Sequence, residues 1–150
     1  MQDFVRHINS KNKKFKCYLN SDESETLSLT VDIYNELNPG ATEKEISLLT
    51  ELVPDNNEQI VAFYKLYNGI KLYCNGDTSG LQFYSIGNLQ DLNDEWKGGH
   101  SDFEEDELYD FQKSGVAFGE ISHSGNYFIF FDSKVYYDDH DGRDDTTVGE

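Results

Sequence analysis

The stretch Tyr127-Phe128-Ile129-Phe130-Phe131, followed by Asp132-Ser133-Lys134 and then by Val135-Tyr136-Tyr137, decides the fold class of this chain. Tyr, Phe, Ile and Val are favoured in strands because their side chains pack well on a pleated surface. A short polar segment separates the two apolar runs, so the stretch predicts a β-hairpin. An isolated hairpin is only marginally stable in water, and the rest of the chain must therefore supply elements that cover it.

Two amphipathic helices are predicted upstream of the hairpin, at residues 42–53 and 57–68. The first begins at Thr42-Glu43-Lys44-Glu45, a capping box in which the threonine hydroxyl accepts from the Glu45 amide and the carboxylate reaches back to the cap. Pro54 ends this helix. The second ends at Asn68-Gly69, where glycine can adopt the left-handed conformation of a helix C-terminus. Both helices have one apolar face, so each needs a sheet to pack against.

Shorter apolar runs predict the remaining elements. Residues 27–33 alternate between apolar and polar side chains, the pattern of a half-buried strand. Leu89, Leu92 and Trp96 have helical spacing and predict a third helix after Gly87, with Trp96 in the core. Further strands are predicted at residues 70–73, 81–85 and 116–118.

The order of these elements predicts an α+β fold. A mainly antiparallel twisted sheet is formed by the strands near 70–85 and 116–137, and helices 42–53 and 57–68 pack against it. The length of 150 residues is typical of one domain, so residues 1–150 are expected to form a single domain.

The chain is strongly acidic, with 12 Lys+Arg against 29 Asp+Glu and a formal net charge of −17. The part after Lys16 carries 7 basic against 28 acidic residues, a formal charge of −21. Such a surface repels phosphate groups, which argues against nucleic acid and anionic membranes as partners. It favours a basic protein partner and accelerates encounter with one.

The sequence also predicts a cellular compartment. It shows no signal peptide and no apolar run of the roughly 20 residues that a membrane-spanning helix needs. Two cysteines, Cys17 and Cys74, are too few for a disulfide framework. A reducing cytoplasm is therefore the expected location.

The order of several motifs resembles the SUKH superfamily of immunity proteins, which includes a fungal cell-wall-synthesis regulator. Each motif is short, and the resemblance rests on their order over roughly residues 42–141. The motifs are the helix end Phe63-Tyr64-Lys65-Leu66-Tyr67-Asn68-Gly69, the strand Leu81-Gln82-Phe83-Tyr84 leading to Ile86 and a helix, Val116-Ala117-Phe118-Gly119, Gly125-Asn126-Tyr127-Phe128-Ile129-Phe130-Phe131-Asp132, and Val135-Tyr136-Tyr137 running into Asp138-Asp139-His140-Asp141.

The resemblance implies a non-enzymatic, cytoplasmic α+β domain that binds a polymorphic toxin, often a nuclease, and protects the producing cell. The acidity of the chain suggests that the toxin is basic and is occluded through an acidic face. This face is predicted to combine part of the acidic loop, residues 101–110, with the end of the last strand. Its predicted members are Glu104, Glu105, Asp106, Glu107, Asp138, Asp139 and Asp141.

Other functions are weighed against the same residues. Ser122-His123-Ser124-Gly125 contains a serine and a histidine but lacks a nucleophile elbow, and it is typical of a turn. Asp139-His140-Asp141-Gly142 does not fit the ligand spacing of a calcium loop. No catalytic residue, metal site or cofactor is therefore expected. A regulatory scaffold and a divalent-cation protein that uses the acidic C-terminal segment remain as alternative functions.

Overall fold

A computed structural model describes residues 13–20, 26–75, 78–139 and 146–147 of the chain. In this part of the chain the secondary structure comprises strands, helices and two 3₁₀ turns. The strands are β1 (Lys13–Asn20), β2 (Thr26–Leu37), β3 (Ile70–Cys74), β4 (Leu81–Phe83), β5 (Val116–Ile121), β6 (Asn126–Phe131), β7 (Lys134–Asp138) and β8 (Thr146–Thr147). The helices are α1 (Glu43–Leu52), α2 (Glu58–Leu66), α3 (Leu89–Gly98) and α4 (Asp110–Ser114), and the 3₁₀ turns span Ile86–Asn88 and Glu105–Glu107.

The fold is α+β, and its centre is an open antiparallel sheet in which β2 to β7 are six neighbours in sequence order. Strand β1 extends the sheet by pairing with the N-terminal part of β2, and β8 pairs with β7. The predicted antiparallel α+β class is therefore confirmed. Every sheet connection joins neighbouring strands, as in a meander.

The predicted hairpin is formed by β6 and β7, which pair from Tyr127↔Asp138 to Phe131↔Lys134. Asp132 and Ser133 connect the strands with φ angles of 47° and 61°. Positive φ at both central residues of a two-residue loop matches the right-handed twist of the flanking strands.

The capping box of α1 is confirmed. The Thr42 backbone N–H donates to Glu45 Oε2 at 2.7 Å, and the Glu45 amide donates to Thr42 Oγ1 at 3.4 Å. The other carboxylate oxygen of Glu45 accepts from Asn68 Nδ2 at 2.8 Å, while Asn68 Oδ1 accepts from the Ile86 amide at 2.8 Å. Glu45 therefore connects the start of α1 to the end of α2, and Asn68 continues the connection to the turn before α3.

The hydrogen bonds from the Thr42 side chain and backbone, with a smaller contribution from Asn68, lower the pKa of Glu45 from its ordinary value of 4.5. A carboxyl group whose pKa is lower in the folded state contributes stability above its unfolded pKa and loses it as the pH falls through the folded pKa. We expect Glu45→Gln to reduce the free energy of unfolding at pH 7, and the difference from the native protein to shrink as the pH falls below about 4.5. Urea unfolding between pH 7 and pH 3 measures this difference, with Glu43→Gln in the same helical turn as the control. A difference that stays constant over this range would contradict the prediction.

The N-terminal part of the sheet corrects the expected strand at residues 27–33. Strand β2 continues to Leu37, because it pairs with β1 in its first part and with β3 in its last part. A bulge between Tyr34 and Glu36 interrupts the pairing of β2 with β3. Strand β1 was not predicted, because residues 9–16 are polar and basic, although Phe15, Cys17 and Leu19 alternate with other residues as in a strand.

The core combines residues from the helices with both runs of the hairpin. Trp96 is 1% exposed and Tyr64 is fully buried, which confirms the prediction that Trp96 belongs to the core. The Tyr64 hydroxyl donates to the carbonyl of Tyr84 at 2.9 Å, so the buried phenol has a partner. On another part of the sheet, the Phe63 ring of α2 meets the Phe83 ring of β4 edge to face at 5.8 Å.

Candidate functional site

The acidic loop connects α3 to α4 and lies on the surface. Its ten residues contain six carboxylates and no lysine or arginine. The 3₁₀ turn Glu105–Glu107 concentrates the charge, because the Glu104 backbone N–H donates to Glu107 Oε2 at 3.1 Å and closes the turn. All residues from Glu104 to Glu107 are exposed. Among the side chains that the structure describes, no Lys or Arg forms an ion pair with a carboxylate of this loop.

Both ends of the acidic loop are held by Asp138 at the end of β7. His100, which precedes the loop, places its Nε2 3.2 Å from Asp138 Oδ2. Gln112 in α4, which follows the loop, donates from Nε2 to Asp138 Oδ1 at 3.0 Å. Trp96 Nε1 donates to Asp138 Oδ2 at 2.6 Å. We call Trp96, His100, Gln112 and Asp138 the Asp138 network.

Asp138 was expected on the exposed acidic face, and this expectation is wrong, because Asp138 is only 8% exposed. Asp138 is paired with Tyr127 across the hairpin, and its side chain therefore points to the same face of the sheet as that of Tyr127. Trp96 covers the carboxylate on this face. A buried carboxylate needs hydrogen-bond donors, and the network supplies them.

His100 contributes a second contact to the network through its other ring nitrogen. Nδ1 lies 2.9 Å from the carbonyl oxygen of Trp96, and the ring meets the indole edge to face at 5.6 Å. An imidazole protonated on both nitrogens donates to both acceptors, whereas a neutral ring donates to one. Among the described residues, no buried side-chain nitrogen or oxygen lacks a hydrogen-bond partner.

The other predicted members of the acidic face are distributed as follows. Glu104, Glu105, Asp106 and Glu107 share one exposed turn, and Asp139 is partly exposed directly after Asp138. Asp141 lies outside the described residues. The Asp138 network thus brings the acidic loop and the end of β7 together, although the last residue of the loop, Asp110, lies 28 positions before Asp138 in the sequence.

A second group of carboxylates was not predicted from the sequence. The Tyr84 hydroxyl donates to Glu120 Oε1 at 2.7 Å, and the Tyr127 hydroxyl donates to Glu95 Oε1 at 3.4 Å. Burial, together with the nearby Glu95 and Glu120 carboxylates that disfavour a phenolate, raises the pKa of Tyr127 to about 12. The pKa of Tyr84 is raised by burial and by Glu120. These four residues come from four separate parts of the chain, and no local motif joins them.

The serine and histidine residues near position 123 belong to the turn between β5 and β6. His123 has a φ angle of 62° and is exposed. The Ser122 hydroxyl lies 2.8 Å from that of Ser79, and the Ser124 hydroxyl donates to the Ile121 carbonyl at 2.8 Å. The Ser124 hydroxyl thus makes a local turn contact, which is the chemistry expected for this motif, whereas the Ser122 hydroxyl meets that of Ser79, 43 residues away in the sequence.

Two further features limit the kinds of site. A cleft of about 110 Å³ beside β3 and β4 is lined by residues that include Glu36, Lys71 and Gln82. This is smaller than the roughly 300–1,000 Å³ of typical small-molecule pockets. In the described part of the chain, no three His, Cys, Asp or Glu residues are arranged to hold a metal ion.

No helix in the described part of the chain combines the length and apolar character needed to cross a membrane.

Comparisons of the chain with protein-family models, curated proteins and solved structures find no match. Function is therefore inferred from the chemistry of the surface and from the sequence motifs, since a fold by itself does not define an activity.

Proposed function

We propose that this chain is a non-catalytic immunity protein with a SUKH-like fold, which binds a basic toxin and neutralises it by stoichiometric occlusion. The single observation that carries the proposal is the exposed acidic loop, whose carboxylates form no ion pair with a described Lys or Arg side chain. The binding surface consists of Glu104, Glu105, Asp106 and Glu107, together with Asp139.

Electrostatics favours this mechanism because the carboxylates of the acidic loop, which form no ion pair with a described Lys or Arg, attract a positively charged surface. Two opposite unit charges 4 Å apart gain about 4 kcal/mol at an effective dielectric constant near 20, before the cost of desolvation. Complementary charge also raises the association rate, which suits an inhibitor that must reach the toxin before the toxin reaches its target.

The Asp138 network supports the proposal by holding both ends of the acidic loop. A loop that is already ordered loses less conformational entropy when it binds, so more of the interaction energy contributes to affinity. Asp138 itself has a structural role in this mechanism and does not contact the partner.

The first experiment is a tagged pull-down from the source cell at low and high salt, with the bound proteins identified by mass spectrometry. We expect one stoichiometric, basic partner that is toxic when it is expressed alone and harmless when it is expressed with this chain. Several housekeeping proteins would instead favour the regulatory-scaffold alternative.

The acidic loop is then tested by neutralising four charges, with Glu104→Gln, Glu105→Gln, Asp106→Asn and Glu107→Gln in one variant. We expect association with the toxin to slow by about tenfold or more at low salt, and the salt dependence of binding to become weaker. Stopped-flow measurements between 50 and 500 mM salt report both quantities.

A matched control neutralises four exposed carboxylates around α1 and α2, namely Glu43, Glu51, Asp55 and Glu58. It changes the net charge by the same amount as the loop variant. Equal effects of the two variants would show that only net charge matters, and an unchanged loop variant would refute the acidic-face mechanism.

A further inference from the structure

Strands β1 and β2 form a two-stranded ribbon that continues beyond the rest of the sheet. Residues 13–20 pair with residues 26–33 in a regular antiparallel register, whereas β3 pairs only with the last part of β2, from Tyr34 to Leu37. Among the described strands, β1 is therefore the only one that pairs with the first eight residues of β2. Eight residues at about 3.3 Å each give the ribbon a length of about 26 Å.

The register makes this ribbon amphipathic. Residues opposite each other in an antiparallel pair lie on the same face, and successive residues of a strand lie on opposite faces. One face, which we call the apolar ribbon face, carries the pairs Phe15↔Val31, Cys17↔Leu29 and Leu19↔Leu27. The other, more polar face carries the pairs Lys14↔Asp32, Lys16↔Thr30, Tyr18↔Ser28 and Asn20↔Thr26.

The apolar ribbon face lies on the side of the sheet that is exposed at the neighbouring strand β3. In β3, positions 70, 72 and 74 are buried and positions 71 and 73 are exposed. The pair Tyr34↔Cys74 places residue 34 on the buried side, so the odd-numbered residues 27 to 33 of β2 lie on the side of Tyr73. Among the described helices, none packs extensively against β1 or β2.

Tyr73 lies at the end of β3, beside the point where the ribbon begins. It is 62% exposed, the largest exposed fraction among the large apolar and aromatic residues that the structure describes. Its φ angle of 58° is unusual for a bulky residue, and its backbone N–H donates to Asn35 Oδ1 at 3.0 Å. The bulge of β2 thus holds a strained backbone conformation next to the ribbon, at a position where an aromatic residue faces solvent.

The ribbon belongs to a part of the chain that carries no net charge. Residues 1–33 contain five basic and five acidic residues, whereas residues 34–150 contain seven basic and 24 acidic residues. The whole formal charge of −17 therefore lies after the ribbon. Two copies of so acidic a chain repel each other, and the repulsion is weakest where their uncharged parts meet.

We propose that the apolar ribbon face is a self-association surface, on which a second copy of this chain packs its own apolar ribbon face across a twofold axis, with Tyr73 at the border of the contact. A two-stranded ribbon is only marginally stable in water by itself, and a layer that covers its apolar face stabilises it. A twofold contact requires a surface that is complementary to itself, and an uncharged apolar face meets this requirement.

This inference goes beyond the proposed function and does not depend on it. The ribbon and β7 lie towards opposite ends of the strand order, so association through the ribbon leaves the acidic loop of each copy accessible.

Sedimentation equilibrium of the full chain, from about 10 µM to about 1 mM, tests the proposal in a range typical of weak complexes. Because the ribbon is only two strands wide, the contact is small and the dimer should dissociate on dilution. We expect the average mass to rise from that of a monomer towards that of a dimer. A mass that stays monomeric throughout would overturn the proposal, and so would a mass that exceeds the dimer, since a twofold contact is closed.

Two lysine substitutions at adjacent positions compare the faces of the ribbon. Leu29→Lys changes the apolar ribbon face, and Ser28→Lys adds the same charge on the opposite face. We expect Leu29→Lys to raise the dissociation constant of the dimer about tenfold or more, and Ser28→Lys to change it by less than about threefold. Equal effects of the two variants would show that the charge of the ribbon, and not its apolar face, controls association.

Tyr73→Asn tests the contact without a change in the ribbon itself. Asparagine tolerates a positive φ angle better than most residues, so the strained backbone conformation is kept. We expect the dissociation constant to rise by about threefold or more while the thermal unfolding temperature of the dilute protein stays the same. If neither Leu29→Lys nor Tyr73→Asn weakened association, the apolar ribbon face would not be the interface.

Binding of the basic partner separates this inference from the proposed function. Leu29→Lys should bind that partner with an affinity within about twofold of the native chain, because the acidic loop is unchanged. If the chain stayed monomeric but bound the partner through the loop, the inference would fail and the proposed function would stand. If the chain dimerised but neutralising the loop left partner binding unchanged, the proposed function would fail and the inference would stand.

Discussion

Replacing Asp138 by alanine is expected to lower the free energy of unfolding by about 3 kcal/mol, because it removes the shared acceptor of a buried indole N–H and of a side-chain amide. The substitution leaves the buried indole N–H of Trp96 without its acceptor at 2.6 Å. It also removes the acceptor of Gln112 and the carboxylate beside His100. Each unsatisfied buried polar group costs about 1–3 kcal/mol, which is consistent with this total.

Urea unfolding measures this loss, and two further variants show its origin. Asp138→Asn keeps one carbonyl acceptor and should lose less than the alanine variant. Asp102→Ala removes an exposed carboxylate of the acidic loop and should change stability by less than about 1 kcal/mol. Equal losses for the two alanine variants would mean that the loss of a negative charge, and not the loss of the buried network, is what destabilises the fold.

The Asp138→Ala substitution should also have a local effect on the acidic loop, which a separate hydrogen-exchange measurement detects. Because Asp138 holds both ends of the loop, Asp138→Ala should increase amide hydrogen exchange at residues 101–112 more than at α1. In the proposed mechanism the affinity for the basic partner should fall as well, although Asp138 does not contact that partner.

The second large effect is expected for Gly115→Ala, which should lower stability by about 1–3 kcal/mol or more. Gly115 ends α4, and its amide donates to the Phe111 carbonyl at 2.7 Å. A Cβ atom at this position would collide with that carbonyl oxygen and would lie 2.5 Å from Ile129 Cγ2. The carbonyl belongs to the backbone and Ile129 is fully buried, so neither can move aside without a shift of α4.

Gly98→Ala is the control for this substitution, because a Cβ atom there would meet nothing within 4 Å. Gly98 ends α3, and alanine has the higher helix propensity, so the control should be neutral or stabilising by up to about 1 kcal/mol. Thermal unfolding of both variants compares them directly. A Gly115→Ala variant as stable as Gly98→Ala would show that α4 is free to adjust.

Much of the fold could be predicted because its signals are local. The capping box of α1 lies within four consecutive residues, and the hairpin combines two apolar runs with a short polar turn. Helix α4 was missed because its five residues are too few to show a clear periodicity, and the surrounding acidic residues suggested a loop.

The candidate site was only partly predictable. Acidity identified the turn from Glu104 to Glu107, which is exposed in the structure. Acidity wrongly predicted that Asp138 is exposed. Asp138 begins an acidic segment, such segments are normally solvated, and no neighbouring residue distinguishes Asp138 from the acidic residues that follow it.

The sequence by itself determined the class of the fold, the main helices and the hairpin, and the strong acidity that favours a basic partner. These properties depend on composition and on contacts between residues that are close along the chain. Only the tertiary structure decided which carboxylates face solvent and which one is buried. The Asp138 carboxylate is buried because the hairpin register directs it towards Trp96, 42 residues away in the sequence. Such pairings depend on strand register and helix placement, which no local pattern specifies.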